Sequence, residues 1–241
     1  MISIVIPTLN EEKEIGNMLN NFDESIKKRE VEVIITDGKS KDKTAEIARR
    51  YTQKVLVYSG EKRQTISKGK NDGAKEALGE FLLFQDADVF IPDPSDFFKT
   101  IVACFERDKK LVGATVFLKV RPNDATIGDK IVFGAVNYLF VIMNNFLGIG
   151  AAAGEFQFVR ADAFRKINGF NEKLVVAEDQ DLFHRLTKIG RTKIISSLTV
   201  YHSGRRAHAI GWPRLLWKWW TNYFSLVILK RSTSKEWEPL R

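Results

Sequence analysis

Short β-rich segments alternate with longer segments of helical periodicity along this chain of 241 residues, and this order constrains the fold more than any other feature. The first β-rich segment is Ile2 to Ile6, and the next, Val31 to Thr36, follows a stretch of helical pattern. The later ones are Lys54 to Tyr58, Phe81 to Phe84, Leu111 to Val120 and Thr192 to Tyr201. Repeated β-α units predict an α/β fold, with a mostly parallel sheet covered by helices on both faces.

The segment between the first two strands has the pattern of an amphipathic helix. Its apolar positions recur at helical spacing: Ile15, Met18, Leu19, Phe22 and Ile26. Asn10 is a residue type favoured at the N-cap, and Glu11 and Glu12 would suit the positive end of the helix dipole. The pattern therefore predicts a helix that starts directly behind Asn10.

Polar residues follow three of the predicted strands. Pro7 to Asn10 follow the first strand, Asp37 the second, and Asp86 and Asp88 the fourth. Because ligands bind beyond the carboxyl ends of parallel strands, these residues predict one shared site. Asp86 and Asp88 would point the same way and repel each other unless a cation binds, one carboxyl is protonated, or both are solvated in a turn. We favour the cation, because Mg²⁺ and Mn²⁺ take carboxylate and phosphate oxygens.

Two further segments carry polar groups towards this edge. The segment DGKSKDKT, 37–44, is interpreted most simply as a turn in which Ser40 or Asp42 caps the next helix. Lys70 and Asn71 lie on a helical segment before the fourth strand, where Lys70 could reach a phosphate and Asn71 a ribose or a backbone group. The alternative is a solvated helix face.

The order and spacing of these segments resemble the family 2 glycosyltransferases, nucleotide-sugar-dependent enzymes of the GT-A fold. The chain reads IVIPTLNEE, IITDGKSKDKT, KGKNDGAKEALGEFLLFQDADV and GAAAGEFQFVRADAFRKINGFNEKLVVAEDQDLFHRLTKIG. The likeness covers roughly Ile2 to Tyr201. There are departures, since the turn at 37–40 keeps only one of the family's two aspartates, Lys70 replaces an arginine, and Asn168 replaces a glycine.

The resemblance implies a three-layer α/β/α GT-A domain with a nucleotide and metal site at this edge. Asp88 would bind Mn²⁺ or Mg²⁺ together with the diphosphate of a nucleotide-sugar donor, and Asp86 would lie near the ribose and the metal-bound waters. Asp37 would accept a hydrogen bond from the base, which weakly favours uridine over guanosine. Residues that would line the nucleotide pocket are Pro7, Thr8 and Glu11.

The resemblance also implies that Asp179 is the catalytic base of an inverting transfer, with the acceptor near 154–158 and Gly169. The sequence VAEDQDLFHRL predicts a helix that Glu178 and Asp179 open. Its apolar positions, expected to face the core, are Leu182, Phe183 and Leu186. A carboxylate is the group needed to take the proton of an acceptor hydroxyl. The alternative is that both acids only stabilise the positive end of the helix.

His202 follows the last predicted strand, and Arg205 and Arg206 come shortly after it. His202 could bind the metal or a phosphate, or could simply form a hydrogen bond within the protein. The two arginines could close over the diphosphate, or face solvent or lipid headgroups.

The formal charge of +8 is concentrated at the C-terminal end, where Thr199 to Arg241 contain eight basic residues and two acidic ones. All five tryptophans lie in the last thirty residues. From Trp212 to Lys230, a basic stripe and a wide apolar face are typical of a helix in the membrane interface. The alternative is a helix that packs on the domain or on a partner subunit. We therefore predict a GT-A domain, residues 1–204, and an amphipathic tail, residues 205–241.

A membrane-facing tail would favour a lipid-linked acceptor, such as a polyprenyl phosphate or a glycolipid. The single cysteine, Cys104, fits a reducing setting, so we expect a cytoplasmic protein at the inner face of the cell membrane. The uncharged segment 131–154 comes closest to a membrane span, but its asparagines argue against burial in hydrocarbon.

Three other functions fit the sequence less well. A nucleotidyltransferase would need a glycine-rich basic phosphate loop, which PTLNEEKEIG lacks. A nucleic-acid-binding protein would carry its positive charge along a groove rather than in one apolar tail. A catalytically inactive relative is disfavoured because Asp88 and Asp179 are both present.

Overall fold

The computed structural model describes residues 1–229, with side chains described as far as Asn222. The strands are β1 (Ile2–Thr8), β2 (Val31–Asp37), β3 (Val55–Val57), β4 (Phe81–Gln85), β5 (Leu111–Val120), β6 (Phe156–Arg160) and β7 (Arg191–His202). They form one sheet in the order β3-β2-β1-β4-β6-β5-β7. Only β6 runs antiparallel to its neighbours, so the prediction of a mostly parallel α/β sheet is confirmed.

Ten α-helices of the described residues connect and cover these strands. They are α1 (Ile15–Asn21), α2 (Asp23–Lys27), α3 (Thr44–Ala48), α4 (Ile66–Lys75), α5 (Pro94–Arg107), α6 (Ile127–Val141), α7 (Ala161–Lys166), α8 (Glu178–Leu186), α9 (Arg205–Ile210) and α10 (Trp212–Leu229). A π-helical turn, Ile142–Phe146, continues α6. The sheet has an apolar core on each face, because alternate strand residues point to opposite sides. In β1, Ile4 and Ile6 pack with residues of α1 and α5, whereas Val5 belongs to the core that contains residues of α7 and α8.

The prediction that Asn10 caps the first helix is wrong. Helix α1 begins only at Ile15, and Asn10 has a left-handed backbone with φ of 54°. Its side-chain oxygen accepts the backbone N–H of Lys41 at 2.8 Å, so Asn10 joins two loops instead. Asparagine suits both an N-cap and a left-handed turn, and here the turn prevails.

Strand β6 is absent from the sequence prediction, which assigned part of it only to the surroundings of the acceptor. It is five residues long and is held between β4 and β5. Phe156 and Phe158 enter one core and Val159 the other. Its apolar residues alternate only at Phe156 and Phe158 before Val159 breaks the pattern, so the segment is not distinguished from the loop that precedes it.

One helical stretch of the described chain, Ile127–Phe146, is long and apolar enough to cross a membrane, and 33% of its apolar window is buried in the protein. Its asparagines form hydrogen bonds within the domain, as their polarity suggested. Asn137 exchanges two 3.0 Å bonds with the backbone of Leu118 in β5. Asn144 exchanges two with the backbone of Ala151, at 2.8 and 3.1 Å. One side of this helix therefore lies firmly on the domain.

The helix predicted in the tail is present as α10 as far as Leu229. Residues 230–241, with Lys230 and Trp237, lie outside the described part of the chain. Two glycines with positive φ, Gly204 at 67° and Gly211 at 84°, bound the short helix α9. The start of α10 contacts the domain, because the indole N–H of Trp212 donates to Asp129 at 3.0 Å.

Candidate active site

A cavity of about 1440 Å³ opens between the carboxyl ends of β4 and β7 and helices α6, α8 and α10. Six of the predicted site residues line it: Lys70, Asp86, Asp88, Asp179, His202 and Arg205. The others lie outside its lining: Pro7, Thr8, Glu11, Asp37 and Asn71. The predicted site residues therefore fall into two groups, those that line this cavity and those that lie outside it.

Asp88 is buried on the floor of the cavity and lies among groups that stabilise its charge. Its Oδ2 accepts a hydrogen bond from the hydroxyl of Ser203, and Nε of Arg205 lies 3.5 Å from the same oxygen. Burial alone would raise the pKa of Asp88, but the charge of Arg205 and the Ser203 hydrogen bond outweigh it and hold the pKa below its ordinary value. Asp88 is therefore an ionised, buried carboxylate.

Arg205 joins this carboxylate to a second one that lies beside the cavity. Its guanidinium donates to both oxygens of Glu11, at 2.7 and 2.8 Å, and Glu11 is 5% exposed. The predicted nucleotide residue Glu11 thus forms an ion pair within the protein. The arginine predicted to close over a diphosphate therefore has two carboxylates of the protein as its counter-charges.

Asp86 has a different environment, although only Ala87 separates it from Asp88. Burial raises the pKa of Asp86 to about 8, since the positive charge of Lys70 only partly offsets it and Glu155 and Asp88 add repulsion. The like-charge conflict expected from the sequence is thus resolved by keeping Asp86 protonated near neutral pH while Asp88 is ionised. A divalent cation would favour ionisation of both.

Asp179 lies at the start of α8, as predicted, and the three apolar positions of that helix are buried in the core. The backbone N–H of Gln180 donates to its Oδ1 at 2.8 Å. Burial, together with the neighbouring carboxylate of Glu178, raises the pKa of Asp179 to about 8. A Cβ placed on Gly154 would lie 3.9 Å from Oδ2 of Asp179, so small residues leave open space before this oxygen.

Lys70 is completely buried, and its positive charge acts on the carboxyls of both Asp86 and Asp179. Its ammonium donates to the side chain of Gln157 at 3.0 Å and lies 3.7 Å from Oε1 of Glu178. It also lies over the ring of Phe170, 5.1 Å from the centroid. Lys70 is therefore a cation that lines the cavity, as predicted, and its ammonium also contacts Gln157 and Glu178 of the protein.

His202 ends β7, with 6% of its surface exposed. Its Nδ1 accepts the backbone N–H of Gly204 at 3.2 Å, and its buried Nε2 has no hydrogen-bond partner among the described residues. When Nδ1 is an acceptor, the proton of a neutral imidazole is on Nε2. In that tautomer Nε2 carries a proton and has no free lone pair, so of the two predicted roles a bond to a phosphate oxygen fits better than coordination of a metal through Nε2.

Asp37 is also buried, and its carboxylate is used within the turn 37–40. Its Oδ1 accepts the N–H groups of Lys39 and Ser40 at 3.1 and 2.8 Å. Its Oδ2 accepts the hydroxyls of Ser40 and Thr8 at 2.6 and 3.1 Å. These bonds fill the usual acceptor capacity of a carboxylate. A bond from a nucleotide base, as predicted, would require a hydroxyl to turn away.

The sequence offered Ser40 or Asp42 as the cap of the next helix. The structure shows that Asp42, and not Ser40, accepts the first N–H of α3, from Thr44.

Asn71 is engaged in supporting a turn rather than facing the cavity. Its amide donates to the backbone oxygen of Phe170 at 2.9 Å, and its oxygen accepts the N–H of the same residue at 2.9 Å. The turn has positive φ at Asn168 and Gly169, 59° and 65°, so the left-handed backbone expected at Asn168 is confirmed. Of the two partners predicted for Asn71, the structure shows the backbone group.

Several residues of the site are missing from the sequence prediction. Gln157, Ser203 and Glu155 act on the predicted acids or on Lys70, and the apolar walls come from α6 and α10. A second cavity of about 380 Å³ lies beside the turn 37–40. Its lining includes Tyr58 and the basic residues Lys39, Lys41, Lys62 and Arg63. The residues that line this second cavity come from separate loops, and no local sequence pattern reveals that these loops are close together.

The sequence profile of the family described as Glycosyl transferase family 2 matches residues 3–167 of the chain. The chain belongs to glycosyl transferase family 2. Membership supports the predicted GT-A fold and favours it over the nucleotidyltransferase and nucleic-acid-binding alternatives. The matched residues carry Asp86 and Asp88, whereas Asp179, His202 and Arg205 lie beyond them.

Curated relatives and solved structures similar to this chain agree with the fold. A beta-monoglucosyldiacylglycerol synthase of Trichormus variabilis is 28% identical over 99% of this chain and 54% of its own length. The mannosyltransferase PcManGT of Pyrobaculum calidifontis superposes with a TM-score of 0.72 at 18% identity, over 95% of this chain and 64% of that one. For S. aureus TarS 1–349 the TM-score is 0.61 at 23% identity, over 83% and 57%. The chain spans about half or less of the first curated relatives it matches.

Proposed function

We propose that this chain transfers a sugar from a nucleotide diphosphate donor to a hydroxyl or phosphate acceptor, with a divalent metal ion and with inversion at the anomeric carbon. The observation that carries the proposal is that one cavity contains Asp86, Asp88 and Asp179 together with the cations Lys70 and Arg205. These are the groups needed to hold a metal diphosphate and to accept a proton from the acceptor.

The carboxylates of the floor suit Mg²⁺ or Mn²⁺. Asp88 is buried, ionised and faces the cavity, and Asp86 faces the same space. Hard divalent ions take few protein oxygens when a substrate phosphate completes their coordination. When bound, the metal would neutralise the charge that develops on the departing diphosphate. Arg205, 3.5 Å from Asp88, and the donor N–H of His202 would bind the phosphate oxygens beside it.

Asp179 is the proposed catalytic base. In its ionised form it would take the proton of the acceptor hydroxyl while that oxygen attacks the sugar from the side opposite the diphosphate. A pKa of about 8 gives Asp179 a stronger affinity for that proton than an ordinary aspartate has. The space before its Oδ2, left open by Gly154, is where the acceptor would lie.

Two nucleotides are candidates for the donor. PcManGT was solved in complex with GDP-Man and Mn²⁺, and TarS 1–349 in complex with UDP-GlcNAc. A bond from the imide N–H of uracil to Asp37 is the reason to favour a UDP-sugar here. The hydroxyls of Ser40 and Thr8, which now donate to that carboxylate, can rotate to release it.

The acceptor is proposed to be lipid-linked and to be reached at the inner face of the cell membrane. The relative from Trichormus variabilis is named for synthesis of a glucosyldiacylglycerol, a lipid. Trp217 and Trp220 on α10 are 67% and 61% exposed, and clustered exposed tryptophans suit the membrane interface.

Thermal unfolding with UDP or GDP, in the presence and absence of Mn²⁺, tests the metal-diphosphate site. We expect one nucleotide to raise Tm only when Mn²⁺ is present, and Asp88→Asn to abolish the increase. Asp124→Asn, at an exposed aspartate outside the cavity, is the matched control and should respond like the wild type. The proposal fails if neither nucleotide stabilises the wild type, or if Asp88→Asn responds fully.

A further inference from the structure

The cavity that contains the catalytic carboxylates is larger than a nucleotide sugar alone requires. Its volume of about 1440 Å³ exceeds the roughly 300–1,000 Å³ of ordinary small-molecule sites. Its chemistry is also divided. Charged groups such as Asp88 and Asp179 form the floor, whereas most of the side chains that α6 and α10 contribute are apolar. A cavity with one ionic and one hydrocarbon half fits an amphiphile.

Two helices form the hydrocarbon half, which we call the α6–α10 cleft. Leu139 and Met143 contribute from α6 and its π-helical turn, and Leu216, Trp217 and Trp220 contribute from α10. Leu139 and Leu216 are 51% and 41% exposed, so apolar surface inside the cleft remains open to solvent. Apolar groups that line a concave site and are left uncovered indicate a binding surface.

The two helices that form the cleft are joined to each other at one end. Trp212, the first residue of α10, donates to the buried carboxylate of Asp129 near the start of α6 and packs on Phe133 with ring centroids 5.5 Å apart. A Cβ on Gly128 would lie 2.8 Å from the Trp212 ring, so this close approach needs glycine. Asn137 fixes the other side of α6 to β5. These contacts fix α10 to α6 at one end of the cleft and fix α6 to the sheet.

The charges around the cleft indicate the headgroup. Arg205, Arg206 and Lys218 line the same cavity as its apolar walls, and Lys218 is on α10 itself. Positive side chains beside an apolar cleft complement a lipid whose headgroup is anionic. From the cleft, the polar end of such a lipid would meet Asp179 on the floor.

We propose that the α6–α10 cleft binds the hydrocarbon chain of an anionic, phosphate-bearing acceptor lipid and presents its head to Asp179. The proposal rests on the transfer activity proposed above and adds the site that selects the acceptor. The site binds a single chain between two helices, which differs from adsorption of the whole protein to a membrane surface.

Monomeric 12-bromododecyl phosphate is the probe, because bromine quenches the fluorescence of nearby tryptophans and Trp217 and Trp220 line the cleft. We expect saturable quenching in the absence of vesicles. Removal of each CH₂ from the chain should weaken binding roughly fourfold. Inorganic phosphate should compete at least a hundredfold less well than dodecyl phosphate.

Leu139→Glu and Leu216→Glu place a charge on each wall of the cleft at partly exposed positions, where folding should be retained. Each should weaken binding of the probe at least tenfold. Ile131→Glu is the matched control, since Ile131 lies on the same helix, is 66% exposed and is outside the cavity; its affinity should stay within twofold of the wild type. Leu139→Gln, which adds no charge, should change the affinity in the same direction as Leu139→Glu.

Any of three results would overturn the inference: Leu139→Glu and Leu216→Glu bind the probe normally, Ile131→Glu loses as much affinity, or binding occurs only with vesicles. Nucleotide stabilisation with Mn²⁺ is measured on the same variants and should be unchanged. If it persists while the probe fails to bind, only the cleft is wrong. If the probe binds while no nucleotide stabilises the protein, the lipid site stands and the proposed transfer activity fails.

Discussion

Arg205 and Glu11, which are 194 positions apart in the sequence, form a two-point ion pair with N–O distances of 2.7 and 2.8 Å. The same guanidinium lies 3.5 Å from Asp88. Arg205 is also the first residue of α9, which lies between Gly204 and Gly211. One side chain therefore attaches the segment after β7 to the turn after β1 and places a positive charge beside Asp88, the carboxylate proposed to bind the metal.

Arg205→Gln is expected to destabilise the protein by about 2 kcal/mol, because it removes the guanidinium that pairs with the buried carboxylate of Glu11. Removing one partner of a fully buried ion pair costs about 3–5 kcal/mol. The expected cost is smaller here because Arg205 is only partly buried. Urea unfolding measures the change. The double variant with Glu11→Gln should be less destabilised than the two single changes together, and strict additivity would show that the pair contributes nothing.

The sequence predicts the carboxylates of this site better than it predicts their partners. Asp86 and Asp88 follow a strand, so the two-residue period of a strand and the position of ligand sites in parallel sheets are enough to place them. The bond from Lys70 to Gln157 spans 87 positions and depends on the missed strand β6, so no local pattern contains it. The prediction for Asn10 was wrong because asparagine favours both N-caps and left-handed turns, and the sequence does not show which of the two it adopts.

Transfer is expected to depend on pH through Asp179. Because the pKa of this carboxyl is about 8, the ionised base is a small fraction at pH 6. The value of kcat/KM, which reports the free enzyme, should rise about tenfold per pH unit below 8 and level off above it. A profile that is flat from pH 6 to 9 would remove Asp179 as the base. Asp179→Asn should reduce transfer at least about a hundredfold while nucleotide binding is retained.

The same variant has an expected effect on stability that a merely inactive protein would not show. The folded pKa of Asp179 is raised, so its contribution to stability is complete below its ordinary pKa near 4 and is lost as pH rises towards 8. Asparagine does not ionise, so Asp179→Asn does not lose stability in this way as pH rises. Its Tm should exceed that of the wild type at pH 9 and match it at pH 4. Equal Tm values at both pH values would show that the carboxyl is not held in a costly environment.

His202 is expected to act on phosphate and not on the metal. His202→Phe removes the Nε2–H donor, so affinity for the nucleotide diphosphate should fall about tenfold to a hundredfold, the scale of one lost hydrogen bond to a charged group. The Mn²⁺ concentration for half-maximal stabilisation by nucleotide should stay the same. Asp88→Asn is the comparison, because it should raise that concentration strongly. A large increase in the Mn²⁺ requirement of His202→Phe would restore its role as a ligand.

Membrane binding is expected to use the outward side of the stretch Ile127–Phe146 as well as the tail. Ile131 and Phe146 are 66% and 78% exposed, and neither lines the cavity. Burial of such a side chain contributes about 1.5–3 kcal/mol, so Ile131→Glu and Phe146→Glu should each reduce sedimentation with anionic vesicles about tenfold or more.

Leu78→Glu is the control for these two variants, since Leu78 is 76% exposed and lies before the amino end of β4, at the opposite end of that strand from Asp86. It should bind vesicles like the wild type. Binding should also weaken as salt is added, because the basic residues of the tail attract anionic lipid. If all three variants lose binding equally, the effect comes from added negative charge and not from this surface. If none loses binding, the helix does not touch the bilayer, and the tail alone would have to account for attachment.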